Sequence, residues 1–211
     1  MNHFSLIQLL FLIFGLSVKS ESFNNVTCGS VIKLLNVRFG VRLHSHSINY
    51  GSGSGQQSVT AIEDNIDSNS LWQIKEAYGE GPCERGHAIT CNSKIRLFHV
   101  STKTHLHSHH FSSPLSNAFE VSALGPSSDS GDDWKVVCDS SHWQRNLDVK
   151  LKNQITDAFL SVSGNRYNRP IAGQYEVAGS NTATANTWRV QEGVYIKPSS
   201  TESGFDLHDE L

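Results

Sequence analysis

One pattern occurs three times along the chain. Its middle copy begins Leu106-His107-Ser108-His109, passes Phe119-Glu120-Val121-Ser122-Ala123 and closes on Trp134-Lys135-Val136. Upstream stand Leu43-His44-Ser45-His46, Gln57-Ser58-Val59-Thr60-Ala61 and Trp72-Gln73-Ile74. Downstream stand Leu160-Ser161-Val162-Ser163, Tyr175-Glu176-Val177-Ala178-Gly179 and Trp188-Arg189-Val190. The Leu-to-Trp separations are 29, 28 and 28 residues. A unit of this size cannot bury its apolar face alone, so three copies must close around a shared core.

Each copy has a further strand ahead of the Leu, namely Ile32-Lys33-Leu34, Ile95-Arg96-Leu97 and Val149-Lys150-Leu151. Alternation of apolar and basic residues is the period of a half-buried strand. The Leu, Val and Trp segments supply three more strands per copy. Turn-rich segments join them: a flexible loop from Gly51 to Gly55, Ser112 to Asn117, and Gly164 to Pro170. No long stretch carries a helical period, so little or no helix is expected. Four strands in each of three copies predict an all-β chain, a β-trefoil, with copies at about 22–80, 88–140 and 143–198. Trp72, Trp134 and Trp188 are its expected core. Antiparallel first and fourth strands would bring Cys28 near Cys83 and Cys91 near Cys138. A local Cys83–Cys91 pair is the competing arrangement, and four cysteines allow three pairings.

Both ends carry addresses. Residues 1–20 read as a secretory signal peptide, with an apolar run from Leu6 to Leu16. The last tetrapeptide, His208-Asp209-Glu210-Leu211, reads as a retention signal recognised by a retrieval receptor, on a flexible tail over 199–211. Together they predict residence in the endoplasmic reticulum lumen, where disulfides are expected. Asn25-Val26-Thr27 is an N-glycosylation sequon with Asn25 as acceptor. Net charge is −3 without a basic cluster, which argues against nucleic acid as a partner. No apolar run beyond the leader reaches the ~20 residues of a membrane span.

Chemistry-bearing residues are sparse. His44 and His46, and His107 and His109, are two apart and face one side of a strand. His99, His105 and His110 lie near them in sequence, which raises a metal site. The third copy has Ser161 and Ser163 instead, and no acidic or cysteine ligand has matching spacing. A hydrogen-bonded or solvent-facing pair on the variable, outward part of the motif is therefore expected, and no metal or cofactor. Asp132 and Asp133 read as part of a solvated loop. Ser45 and Ser108 alternate with their flanking histidines across the strand, so no base–nucleophile pair forms and no catalytic residue is assigned. Tyr50, Tyr167 and Tyr175 are weighed as glycan or peptide contacts against packing beneath loops, and packing is preferred.

Several segments together resemble the stromal cell-derived factor 2 family. They are Thr27-Cys28-Gly29-Ser30-Val31, Val41 to His46, Tyr50 to Thr60, His109-His110-Phe111, Ser113 to Asn117 and the final tetrapeptide. The resemblance implies three MIR motifs in a β-trefoil, the units shared with protein O-mannosyltransferases. It further implies a non-enzymatic luminal quality-control factor. Such a factor associates with a J-domain co-chaperone and, through it, the luminal Hsp70. It holds misfolded clients soluble, with ties to the unfolded-protein response and O-mannosylation. His44, His46, His107, His109 and Arg85 are the partner-binding candidates. A lectin-like trefoil reading mannose-rich glycans is the alternative.

Overall fold

The computed structural model describes residues 24–197, so the expected signal peptide and the His208–Leu211 signal lie outside the described residues. Twelve strands follow in order: β1 (Val31–Asn36), β2 (Val41–Asn49), β3 (Gln57–Ile62), β4 (Trp72–Lys75), β5 (Lys94–His99), β6 (Thr104–Ser112), β7 (Phe119–Leu124), β8 (Trp134–Val137), β9 (Lys150–Asn153), β10 (Phe159–Arg166), β11 (Tyr175–Ser180) and β12 (Trp188–Val194). Single 3₁₀ turns at Ser68–Ser70 and Ser130–Asp132 are the helical elements among the described residues.

The first and fourth strands of each repeat form a closed antiparallel ring, β1-β4-β5-β8-β9-β12, joined between β9 and β12 by the Val149–Trp188 bridge and between β12 and β1 by a full ladder. Closure leaves this ring without an unpaired edge. The second and third strands form hairpins, β2–β3, β6–β7 and β10–β11. Their third strands pair with one another, β3 with β7, β7 with β11 and β11 with β3, and cap one end of the ring. The chain is a β-trefoil.

Each repeat is anchored by the same bond. Trp72 Nε1 donates to the Leu43 carbonyl at 3.0 Å, Trp134 Nε1 to Leu106 at 3.0 Å, and Trp188 Nε1 to Leu160 at 2.9 Å. All six residues are fully buried. A fourth tryptophan belongs to a second threefold set. Val26, Ile89 and Trp143 plug the open end of the ring through a cycle of backbone bonds: Val26 N to Trp143 O, Ile89 N to Val26 O, and Trp143 N to Ile89 O, at 2.8 to 2.9 Å. Beside this plug, disulfides join Cys28 to Cys83 and Cys91 to Cys138. Arg145 takes the corresponding place in the third repeat, with its guanidinium 3.7 Å from the Tyr195 ring centroid.

The last residue of each first strand stitches its repeat to the one before. Asn36 Nδ2 donates to the Ala185 carbonyl at 2.9 Å, and Asn153 Nδ2 to Gly131 at 2.8 Å. His99 does the same in the middle repeat, with Nε2 donating to the Asn69 carbonyl at 2.8 Å. These three carbonyls each lie three residues ahead of a core Trp.

Removing one anchor tests the scheme. Trp134→Phe keeps an aromatic ring but strands the Leu106 carbonyl and leaves a gap. We expect a loss of about 2–4 kcal/mol in urea unfolding, with the strand signature retained.

Candidate functional site

The outward hairpins carry the polar residues, and the histidines are less outward than the sequence suggests. His44 and His107 are hydrogen-bonded, the first of the two arrangements expected, but buried rather than on the outward part of the motif. The cause is a carboxylate delivered by the loop before each Trp. His44 Nδ1 donates to Asp67 Oδ2 at 3.0 Å, and His107 Nδ1 to Asp132 Oδ1 at 2.9 Å. Asp132 is wholly buried and Asp133 nearly so, which corrects the solvated-loop reading. Asp132 packs within a 3₁₀ capping box, where its Oδ2 accepts from Ser128 Oγ and the Asp129 amide. Gly131 makes this possible, because a Cβ there would come within 2.4 Å of the His107 ring.

The second histidine of each pair lies at the half-buried rim. In repeat one the imidazoles touch: His44 Nε2 accepts from His46 Nδ1 at 2.9 Å, leaving His46 Nε2 buried without a partner. In repeat two the rings of His107 and His109 meet edge-on, and His109 Nε2 instead donates to Glu120 Oε1 at 3.1 Å. His107, Asp129 and Asp132 bring ligand atoms within 4.8 Å of one another. The absence of acidic ligands inferred from spacing is thus corrected. Yet these carboxylates are engaged by Ser128 and backbone amides, as a turn cap requires.

Neighbouring repeats are latched by buried carboxylates. Glu120 accepts from the Ser54 amide at 3.2 Å and from the Ser54 hydroxyl. This pins the Gly51–Gly55 loop, expected to be flexible; Gly53 holds φ +65° there with Glu120 against its backbone. Glu176 likewise accepts from Ser113 Oγ at 2.5 Å and the Leu115 amide at 2.8 Å. Amide side chains add two further links, Ser122 Oγ to Gln56 Oε1 and Thr60 Oγ1 to Gln174 Oε1, both 2.5 Å. Between repeats two and three, which the Glu176 latch spans, the positions of this Gln–hydroxyl pair hold Ala118 and Ala178 instead. A groove of about 470 Å³ opens there.

Other candidates fall elsewhere. Tyr50 and Tyr167 pack together beneath the hairpins, and Tyr50 donates to the Val59 and Val121 carbonyls at 2.8 and 3.0 Å. Tyr175 is half-buried against Phe39. Ser45 and Ser108 donate to the Ser58 and Glu120 carbonyls at 2.8 and 2.9 Å. Arg85 is exposed beside Gly29 and the Cys28 end of the plug. Asn25 is half-buried and bridges to Gln144.

Titration is set mainly by burial. It lowers His44, His46, His99 and His105 below their ordinary 6.5. Burial pushes Asp67 and Glu120 up, but bonds from His44 and Ser70, and from His109 and Ser54, outweigh it and hold both carboxyls below ordinary values.

Residues 33–153, more than half the chain, match the MIR domain family. The mouse stromal cell-derived factor 2-like protein 1 is 51% identical, over 96% of this chain and 94% of its own length. The chain belongs to the stromal cell-derived factor 2 family. Within that family, the crystal structure of the SDF2-like protein from Arabidopsis thaliana is 40% identical, with a TM-score of 0.79 over 82% of this chain and 98% of that one. A chain of the S. cerevisiae protein O-mannosyltransferase Pmt1-Pmt2 complex bound to the sugar donor is 27% identical, with a TM-score of 0.73. That likeness covers 85% of this chain and 28% of the transferase chain. Stromal cell-derived factor 2 members and this transferase therefore share one trefoil unit.

The lowered histidines fix a pH response. A histidine whose folded pKa lies below its unfolded value leaves the unfolded state binding more protons as pH falls past about 6.5. Stability is therefore full above that pH and declines below it, down to the folded pKa. Asp67 and Glu120 act in the same direction only further down, below about 4.5. His99 Nδ1 accepts from the Thr102 hydroxyl at 2.7 Å and from its amide, so protonation breaks those bonds. His99→Asn installs the residue found in repeats one and three. Between pH 7 and 5, we expect its unfolding free energy to fall less steeply than that of the parent.

Proposed function

We propose that this chain is a non-enzymatic quality-control factor of the endoplasmic reticulum lumen. In this reading it is a co-chaperone subunit that associates with a J-domain protein and, through it, with the luminal Hsp70. It holds misfolded clients soluble and acts alongside the unfolded-protein response. The supporting observation is end-to-end similarity: relatives named stromal cell-derived factor 2 and its like proteins align over nearly the whole chain. The two terminal addresses favour the same compartment, with the His208–Leu211 tetrapeptide engaging a retrieval receptor and Asn25 as the glycan acceptor. Likeness to the O-mannosyltransferase unit supports a second tie, to the O-mannosylation of misfolded chains.

A scaffolding role suits the chemistry. Ser45 and Ser108 direct their hydroxyls to backbone carbonyls, which leaves them unactivated. Of the histidines next to them, His44, His107 and His109 are engaged by carboxylates and His46 by His44. Among the partner-binding candidates, His44 and His107 sit behind His46 and His109. Contact is therefore assigned to His46, His109 and the exposed Arg85.

Crosslinking mass spectrometry on the full chain in luminal extract tests this reading. We expect a J-domain protein and an Hsp70 among the crosslinked partners, the Hsp70 recovered through the J-domain protein. Recovery of neither after efficient crosslinking contradicts it.

A further inference from the structure

Repeat three departs from the other two at one place on the surface. In repeats one and two, the niche between the second strand and the loop before the Trp is filled by imidazole and carboxylate. Its occupants are His44, His46 and Asp67 in repeat one, and His107, His109 and Asp129 in repeat two. The residues in the same register of repeat three are Ser161, Ser163 and Ala183. At the junction with the preceding repeat, Ala118 of that repeat and Ala178 of β11 stand where the other junctions carry a Gln and a hydroxyl. Both changes remove bulk at one spot, and all five residues line the same groove.

We propose that this groove is a single binding site for a neutral, polyhydroxylated ring: a hexose at the end of a glycan. No charged side chain lines it. Hydroxyls of Ser163 and Thr182 and the exposed amides of Asn117 and Asn181 ring its mouth. Ser116 lines it too, and its Oγ is buried without a hydrogen-bond partner. Half-buried Phe119 and the two alanines supply apolar surface. A pyranose has the matching character, with an apolar C–H face and a rim of hydroxyls that both donate and accept. The groove's volume falls in the range of small-molecule sites, about 300–1,000 Å³. An extended peptide fits less well. The strands beneath are already paired, Ala178 with Glu120 and Gly179 with Phe119, so no free ladder edge remains for a peptide backbone. In repeats one and two the side chains of this protein occupy the equivalent volume, which limits the trefoil to one such site. The inference stands apart from the co-chaperone reading, since it needs no protein partner.

An NMR amide titration of the disulfide-bonded chain tests it. The probes are methyl α-D-mannopyranoside, methyl α-D-glucopyranoside and an uncharged Ser/Ala peptide. A hexoside should cause saturable shifts confined to residues 116–119, 161–163 and 178–183, with about millimolar affinity. Ser116→Ala should weaken binding about fivefold, the worth of one hydrogen bond. The double change Ser163→His and Ala183→Asp, which installs the residues of repeat one, should weaken it at least about tenfold with the fold intact by the same spectra. No saturable shift at concentrations about tenfold above that range overturns the proposal. So do shifts outside the groove, a response to the peptide alone, or unchanged binding in Ser116→Ala should the double variant fail to fold.

Discussion

The indole-to-carbonyl bond between each core Trp and the Leu 28 or 29 residues before it sets what the rest of the chain can do. It ties the start of the fourth strand to the second strand within one repeat, across the hairpin between them. A buried indole N–H without a partner is costly, and so is a buried carbonyl. Both are satisfied together only when the hairpin folds down onto the ring. The Asn36, His99 and Asn153 stitches then carry the order from one repeat to the next. The Val26–Ile89–Trp143 cycle seals the other end.

With the core made threefold, departures from symmetry stand out as choices of the surface. Repeats one and two close their niches with a buried histidine on a carboxylate, and repeat three leaves its niche open. Glu120 and Glu176 are buried acids that each reach the hairpin of the preceding repeat, and Glu120 also takes His109 from its own hairpin. This head-to-tail latching stiffens the outward loops without a disulfide. The two disulfides serve the opposite end, beside the plug, in the repeats that have them. Family membership and the proposed luminal role thus rest on a rigid platform with one asymmetric face.

The apolar Leu, Val and Trp recur at nearly constant spacing, so the trefoil and its twelve strands were legible in the sequence. Other threefold sets were equally regular but chemically disguised. Val26, Ile89 and Trp143 each precede an apolar first-strand residue by six positions, yet a Val, an Ile and a Trp do not read as one motif. Asn36, His99 and Asn153 share a role because an amide and an imidazole can each donate to a carbonyl and accept from the following turn. His99 drew attention as a possible ligand for want of that comparison. The acids were hidden for a different reason. His44 reaches Asp67 and His107 reaches Asp132, which occupy different positions relative to their Trp residues. Loop geometry, including the close approach at Gly131, decides which carboxylate arrives. The groove was illegible because it arises where two small residues from different repeats meet.

The dependence of the whole fold on the three Trp–Leu bonds can be measured directly by hydrogen exchange at the indole N–H groups of Trp72, Trp134 and Trp188. If each bond breaks only when the ring opens, all three exchange with one free energy, equal to that of global unfolding. Exchange of any one of them through a much cheaper local opening, with the others still protected, would contradict the account.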